Sequence, residues 1–256
     1  MKRKVRRKRD DIDSLNMALS LNGQAMMEGP KKKTWSIHDL KTIKPLTTNQ
    51  DEAFHLWFEN PDKHLALLGS AGTGKSYLSI YFAMQEILQN KGQYTSLKIV
   101  RSIVQTRQIG ALPGTLEEKK LPIFQIYDSI FADLFKRKLT LENMHEKGLV
   151  EFIDTSYIRG STWNNCIVFI DEINNMNPHE VHTVMTRVGD NTRVIIAGDE
   201  KQSDLVTSGN KNDKHDFNAF LNTIKNMSSI NYVEFTFDDI VRSGFVKEWI
   251  IASRNY

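Results

Sequence analysis

Residues 65–76 read Leu-Ala-Leu-Leu-Gly-Ser-Ala-Gly-Thr-Gly-Lys-Ser, an apolar run that leads directly into a glycine-rich loop. The last eight residues match the G-x-x-x-x-G-K-S/T pattern of a phosphate-binding loop, with a strand pattern before it and a helix pattern after it. Glycines let the backbone wrap a triphosphate with several N–H groups pointing inward, where a Cβ would block the approach. The stretch predicts a nucleoside triphosphate site; an ordinary glycine-rich turn is the alternative.

Within this loop, each residue type has a predicted role. Lys75 supplies a positive charge to the β- and γ-phosphates, and the hydroxyl of Ser76 ligates Mg²⁺. A helix that begins near Gly74 adds the positive end of its dipole. The predicted nucleotide-binding residues of the loop are Gly69, Ser70, Ala71, Gly72, Thr73, Gly74, Lys75 and Ser76.

Two later strand patterns end in polar residues. Residues 167–170, Ile-Val-Phe-Ile, lead into Asp171 and Glu172. Asp171 is predicted to hold the Mg²⁺ shell together with Ser76, and Glu172 to orient and polarise the attacking water. For these two acids the alternative is an acidic turn, since many strands end in one.

The second of these patterns, residues 194–197, leads into Gly198-Asp199-Glu200-Lys201-Gln202. This strand is predicted to lie beside the strand of the phosphate loop. Gln202 would then sense the γ-phosphate or the water by hydrogen bonding, and Asp199 would support the metal shell. A Gly-Asp turn without a catalytic role is the alternative.

The sequence gives weaker support to two further predictions, an adenine contact and a catalytic arginine. Gln50 is predicted to hydrogen-bond the adenine edge of ATP, with a role in a surface helix cap as the alternative. Phosphoryl transfer gains from an arginine that neutralises charge on the transferring group. Residue spacing does not choose among the four candidates, which are Arg101, Arg159, Arg187 and Arg242.

Strand and helix patterns alternate along the chain, which predicts an α/β fold with a parallel sheet covered on both faces. Strands are predicted at residues 64–68, 97–104, 149–153, 166–170, 193–197 and 232–235. Helices are predicted at residues 50–59, 75–90, 122–138, 178–188 and 216–225, with one or two closing helices over 238–252. A polar loop is predicted over 105–121, with Pro122 opening the helix that follows.

Charge divides the chain into an arm and a body. Residues 1–33 carry ten Lys and Arg against four Asp and Glu, whereas the rest carries 24 against 27. We therefore predict a disordered basic arm over 1–33 and a single domain over 34–256. The arm is predicted either to contact nucleic-acid phosphates or to be a solvated tail.

The cysteine count and the lengths of the apolar runs indicate the cellular compartment of this protein. A single cysteine, Cys166, excludes an intramolecular disulfide, and no apolar run approaches the length of a membrane span. These features predict a cytoplasmic protein with no membrane partner.

Beyond the general nucleotide motifs, the chain has several more specific stretches between about residues 40 and 252. They are Gly69–Ser76, Ile109–Gly114 with Glu117-Glu118-Lys119 and Pro122, Tyr127-Asp128, Tyr157–Thr162, Phe169–Glu172, Thr186–Gly189, Gly198–Leu205 and Asp239–Arg242. Together these stretches resemble the PhoH-like family of P-loop ATPases. Asn174 and Ser243 depart from the pattern, since the family usually has glutamine and histidine there.

The resemblance implies a RecA-like three-layer sandwich, ATP hydrolysis with Mg²⁺, and an association with RNA metabolism. The compact length resembles the family members carried by bacteriophages, which would place the protein in the host cytoplasm. With one RecA-like domain, an arginine from a neighbouring subunit would complete the site, so a homo-oligomeric ring such as a hexamer is expected, with Arg187 or Arg242 as that arginine.

Three classes of function follow from these predictions. The leading one is an ATPase that acts on single-stranded RNA or DNA in a helicase-like manner. A nucleotide-dependent switch with negligible turnover is the second. A small-molecule kinase is the third, although a water-activating Glu172 would be counterproductive in it.

Overall fold

A computed structural model describes residues 35–89, 92–102, 116–137, 139–155, 158, 160, 162–199 and 211–253. Within these ranges the side chains of 116–124, 154 and 211–218 are not described. Apart from Trp35, the described residues belong to the compact unit that runs from Ser36 to Tyr256. The predicted basic arm at 1–33 and the site candidates Arg159 and Gln202 lie outside the described residues.

Strands and helices alternate through the described part of the chain. The strands are β1 (His64–Gly69), β2 (Ser96–Arg101), β3 (Val150–Asp154), β4 (Cys166–Asp171), β5 (Arg193–Gly198) and β6 (Ile230–Phe235). The helices are α1 (Thr48–Glu59), α2 (Lys75–Gln89), α3 (Leu116–Phe135), α4 (Thr140–Glu146), α5 (Pro178–Met185), α6 (Lys211–Asn226) and α7 (Gly244–Ala252).

The six strands form one sheet in the order β3-β2-β4-β5-β1-β6, and every neighbouring pair is parallel. All six strands therefore end at the same edge. Strand β5 lies between β1 and β4, so the prediction that it neighbours the phosphate-loop strand is confirmed. This order brings the residues after β1, β4 and β5 together.

Helices cover both faces of this sheet, which is why every residue of β4 and β5 is buried. On one face Val168, Ile170 and Ile196 pack with Val184 of α5 and Ile224 of α6. On the other face α2 packs against β2, β4 and β5. The predicted α/β sandwich of three layers with a parallel, RecA-like sheet is confirmed.

Two predictions about local structure were wrong. Helix α3 begins at Leu116, so Pro122 lies within it rather than at its start. The residues before the proline, Leu-Glu-Glu-Lys-Lys-Leu, favour helix, and the helix continues across Pro122 although the proline removes one backbone donor and its ring crowds a carbonyl of the preceding turn. Helix α4 was not predicted, since its seven residues are too few to show a helical period.

None of the helices in the described ranges is long and apolar enough to cross a membrane.

The first residue of β5, Arg193, is a buried cation that joins three elements. Its guanidinium donates to the carbonyls of Trp57, Asn60 and Lys63 at 3.0 to 3.1 Å and lies 3.4 Å from the centroid of the Trp57 ring. It also pairs with Glu86 of α2 at 3.3 Å. One side chain therefore ties the end of α1, the turn before β1 and the last turn of α2 to the sheet.

Arg193→Ala is expected to lower the free energy of unfolding by about 3–5 kcal/mol, because it removes the cation that pairs with the largely buried Glu86 and the donor to three backbone carbonyls. Urea denaturation measures the loss. The matched control is Arg137→Ala, which removes the pair between Asp39 and an arginine whose side chain is 41% exposed, and should cost at most about 1 kcal/mol. Equal losses in the two variants would contradict this role.

His64 couples the stability of the fold to pH. Its Nδ1 accepts a hydrogen bond from the Val194 N–H at 3.2 Å, which requires the neutral ring. Burial, and secondarily the charge of Arg193, lower the pKa of His64 from 6.5. Below about pH 6.5 the unfolded chain therefore binds more protons at this residue than the folded chain, so stability falls as pH falls.

We expect His64→Asn to reduce the loss of Tm on acidification from about pH 7.5 to about pH 5.5, since its Oδ1 keeps an acceptor but does not titrate. Thermal denaturation of both proteins at a series of pH values tests this. The pKa of His55 is raised by Glu59, so protonation of His55 stabilises the fold as pH falls, opposite to the effect of His64. His55 is present in both proteins, so its contribution cancels in the comparison. Parallel Tm profiles would show that His64 does not carry the effect.

Candidate functional site

A cleft of about 1380 Å³ opens at the carboxyl edge of the sheet. The loops that follow β1, β4 and β5 reach it, and so do the last residue of β2 and part of α3. The predicted site residues that line it are Gln50, Ala71, Gly72, Thr73, Gly74, Lys75, Ser76, Arg101, Asp171, Glu172, Asp199 and Arg242. Residues far apart in the chain thus share one cavity.

The backbone of the phosphate loop explains two of its glycines. Gly69 has φ +108°, and a Cβ there would lie 2.1 Å from the carbonyl oxygen of Phe235. Gly72 has φ +75°, and a Cβ there would lie 3.0 Å from Cγ of Arg242. A side chain at either position would displace the neighbouring strand or the residues that cover the loop.

Lys75, the first residue of α2, holds its ammonium inside the loop. Its Nζ donates to the carbonyls of Gly69 at 2.6 Å and Ser70 at 2.7 Å. Burial lowers the pKa of Lys75, and the charges of Asp199 and Asp171 partly oppose that shift. The cation lies where the loop wraps, in position to contact the β- and γ-phosphates of a bound nucleotide.

Ser76 and Asp171 meet although they are 95 positions apart in the chain. The Ser76 hydroxyl donates to both carboxylate oxygens, at 3.0 and 3.2 Å. A hydroxyl beside a carboxylate is a pair of hard oxygen ligands that fits Mg²⁺. Within the described ranges no cluster of three or more His, Cys, Asp or Glu side chains could hold a metal ion, so phosphate oxygens and water would supply the other ligands.

Asp171 also accepts a hydrogen bond from a tyrosine that the motif spacing did not predict. Tyr127 is fully buried in α3, and its hydroxyl donates to Asp171 Oδ2 at 2.8 Å. Burial, and then the charge of Asp171, raise the pKa of Tyr127 well above its ordinary value, so the hydroxyl keeps its proton. The sequence signalled this residue only through the family resemblance.

Glu172 follows Asp171 in the left-handed region, with φ +50° and ψ +47°. Its Oε2 accepts from Asn175 Nδ2 at 3.2 Å, and its Oε1 lies 2.5 Å from Arg101 Nη2. A non-glycine residue at positive φ is a strained conformation that recurs at functional sites. The backbone turns the carboxylate into the cleft, next to the predicted metal ligands.

Asn174 connects the loops that follow β4 and β5. Its Oδ1 accepts the backbone N–H of Asp199 at 3.0 Å, and its Nδ2 donates to Asn175 Oδ1 at 3.2 Å. This residue departs from the family pattern, yet it is buried and bonded to both loops. Its side chain therefore joins the loop after β4 to the loop after β5.

Gln50 supports the phosphate loop from α1. The buried amide accepts from the Leu46 N–H and donates to the Thr73 carbonyl, each at 2.9 Å. An adenine contact, which the sequence predicted, would have to use the amide's second hydrogen or second lone pair. Its observed bonds instead fix the position of the loop.

The arginine candidates separate into two groups. Arg101 and Arg242 line the cleft of their own chain, and Arg242 lies over Gly72. Arg187 lies at the other end of the sheet, where its carbonyl accepts from the N–H of Trp163, shortly before β4 begins. The sequence expected Arg242 or Arg187 at a neighbour's site, but Arg242 reaches its own.

The chain has a parallel sheet, a glycine loop of this conformation at its carboxyl edge, and a Lys, Ser, Asp and Glu that converge there. These features define the P-loop class of fold. Residues 42–253 match the model of the family described as PhoH-like protein. The chain belongs to the PhoH-like family.

Relatives of the same name occur in several bacteria. The chain is 30% identical over 220 residues to a PhoH-like protein of Mycobacterium bovis, covering 84% of this chain and 59% of the relative. It is 31% identical over 187 residues to one of Bacillus subtilis, covering 72% and 56%. Protein PhoH of Escherichia coli is 27% identical over 220 residues, covering 84% and 60%. The chain thus spans under two thirds of the length of these relatives.

Among solved structures, the large terminase of a thermophilic bacteriophage superposes with a TM-score of 0.48 at 14% identity. The superposition covers 80% of this chain and 50% of the terminase. A likeness this distant does not bear on function.

Proposed function

We propose that the chain binds ATP with Mg²⁺ and hydrolyses it to ADP and phosphate. The observation that carries the proposal is the convergence of Lys75, Ser76, Asp171 and Glu172 on one cleft. The first three of these residues suit the binding of a triphosphate and a metal ion. Glu172 is a carboxylate placed beside them, in position to act on water.

Each residue has one task in this mechanism. Lys75 exchanges the carbonyls of Gly69 and Ser70 for the β- and γ-phosphates. Ser76 and Asp171 would hold Mg²⁺, and a bound Mg²⁺ would neutralise charge on the phosphates. Glu172 accepts the proton of the water whose oxygen attacks the γ-phosphorus; the bond between that phosphorus and the oxygen it shares with the β-phosphate breaks, and ADP departs. Gln202, outside the described residues, would sense the γ-phosphate.

Phosphate release by the purified chain tests this proposal. With ATP and Mg²⁺ we expect sustained release, and EDTA should abolish it. Adenosine diphosphate in excess should inhibit by competing for the same loop. If the chain binds MgATP without sustained release, the second candidate applies, a nucleotide-dependent switch. The contact of Glu172 with Arg101 favours that candidate, because it occupies the carboxylate.

A nucleic-acid partner is the second part of the proposal. Residues 2–9 contain seven cations, which would contact the phosphates of single-stranded RNA or DNA. The full-length variant with Lys2, Arg3, Lys4, Arg6, Arg7, Lys8 and Arg9 changed to Gln should bind RNA more weakly and with a flatter salt dependence. Equal binding and equal salt dependence in both proteins would remove the arm from this role.

Assembly into a homo-oligomer, a ring such as a hexamer, is the third part. Helix α7 beside the cleft has no buried residue, and its Phe245 and Trp249 are 77% and 62% exposed. An apolar surface of this kind is typical of an interface. Arg187 lies far from its own cleft and would reach the nucleotide of a neighbouring subunit.

Mixing two inactive variants tests the contribution of Arg187. Lys75→Ala lacks a working nucleotide site but offers Arg187, whereas Arg187→Ala offers an intact site without that arginine. Phosphate release by the mixture should exceed the sum of the separate proteins. A mixture no more active than its components would show that Arg187 does not act between subunits.

A further inference from the structure

Arg101 contacts both carboxylates at the end of β4. Its Nη2 lies 2.5 Å from Glu172 Oε1, and its Nη1 lies 3.7 Å from Asp171 Oδ2. The same oxygen of Asp171 also accepts the hydroxyl of Tyr127 at 2.8 Å. One guanidinium therefore contacts the proposed water-activating carboxylate and the proposed metal-binding carboxylate, and the tyrosine hydroxyl holds the second of these.

The sheet holds the backbone of Arg101, and its side chain lines the cleft. Arg101 is the last residue of β2 and lies in register with Asp171 of β4. The side chain lines the same cleft as Lys75 and Ser76. A terminal phosphate bound there would come within the reach of a guanidinium that can contact two of its oxygens.

The ion pair of this guanidinium with Glu172 is weak enough to exchange. The side chains of Arg101 and Glu172 are 18% and 41% exposed, so water screens their ion pair and weakens it. A terminal phosphate held by the loop carries more negative charge than a carboxylate and offers a bidentate contact. Arg101 should therefore contact the terminal phosphate in preference to the Glu172 carboxylate.

We propose that Arg101 is a switch residue for the terminal phosphate of ATP, holding Glu172 until that phosphate takes the guanidinium. The exchange releases the Glu172 carboxylate to accept a proton from water, and the arginine neutralises charge on the transferring group. Tyr127 positions Asp171 through its hydroxyl. ADP lacks the terminal phosphate and leaves the Arg101–Glu172 pair in place. The inference rests on the proposed nucleotide site.

A double-mutant cycle on nucleotide affinity tests the exchange. Glu172→Gln removes the competitor for Arg101, so MgATP should bind about 5-fold more tightly while MgADP affinity stays unchanged. Arg101→Ala should weaken MgATP but not MgADP. In the Arg101→Ala background, Glu172→Gln should no longer tighten MgATP. Arg101→Lys keeps the charge without the planar fork and should restore part of the preference for MgATP.

The cycle separates the switch from simpler explanations. A structural defect in Arg101→Ala would weaken MgATP and MgADP equally, and that result would overturn the proposal. Equal tightening by Glu172→Gln with and without Arg101 would also overturn it. Arg137→Ala, remote from the cleft, is the matched control and should change neither affinity. If wild type binds no MgATP, the proposed function itself fails; if it binds but the coupling is missing, only the switch fails.

Discussion

Glu172→Gln should keep MgATP binding while phosphate release falls by about 10²- to 10⁴-fold, the usual contribution of a general base. Gln has nearly the same shape and can still accept from Asn175. It cannot take a proton from water, so the loss should appear in the rate, whereas binding should be retained or modestly tightened. Single-turnover hydrolysis and equilibrium titration with MgATP measure the two quantities separately.

The control for this prediction is Glu59→Gln, which removes an exposed carboxylate at the end of α1. It should leave both affinity and rate unchanged. Unaltered phosphate release in Glu172→Gln would assign water activation to another group, and lost MgATP binding would show that the carboxylate has a structural role instead.

Lys75→Ala should weaken MgATP by about 10²-fold or more, as expected when one partner of a desolvated charge pair is removed. The Nζ hydrogen-bonds the backbone carbonyls of Gly69 and Ser70, so its loss should not unfold the chain. Adding MgATP should raise the Tm of the wild-type protein, because the ligand binds only the folded state. The Tm of the Lys75→Ala variant should not rise. Isothermal titration and thermal denaturation measure the two effects.

Lys147→Ala is the matched control, because this lysine is exposed and lies just before β3, at the sheet edge opposite the cleft. The affinity of the Lys147→Ala variant for MgATP, and the rise in its Tm on adding MgATP, should equal those of the wild-type protein. A Lys75→Ala protein that titrates like wild type would remove the phosphate loop from nucleotide binding altogether.

The phosphate loop, the acids after β4 and the alternation of strands and helices could be predicted from sequence because each is a local pattern. The glycine positions reflect backbone conformation, and the buried runs reflect a sheet covered on both faces. Strand bounds agree within a few residues, as for β1, predicted at 64–68 and observed at His64–Gly69. Helix α4 was not predicted, because its three buried residues are too few to show a helical periodicity.

The roles of Gln50 and the arginines could not be predicted in the same way. Gln50 has a side chain that suits adenine, yet its place under the loop depends on how α1 packs. Arg101, Arg187 and Arg242 are equivalent in a sequence. They differ only in which edge of the sheet they reach, and that depends on where each strand and loop begins and ends.

The sequence by itself determined the nucleotide loop, the two acids and the layered architecture, since short-range residue types and periods encode them. Only the tertiary structure decided that Tyr127 bonds Asp171 from 44 positions away, and that Arg101 meets Glu172 because β2 pairs with β4. Such contacts depend on strand order and register. These follow from the packing of the whole sheet, not from any single segment of the chain.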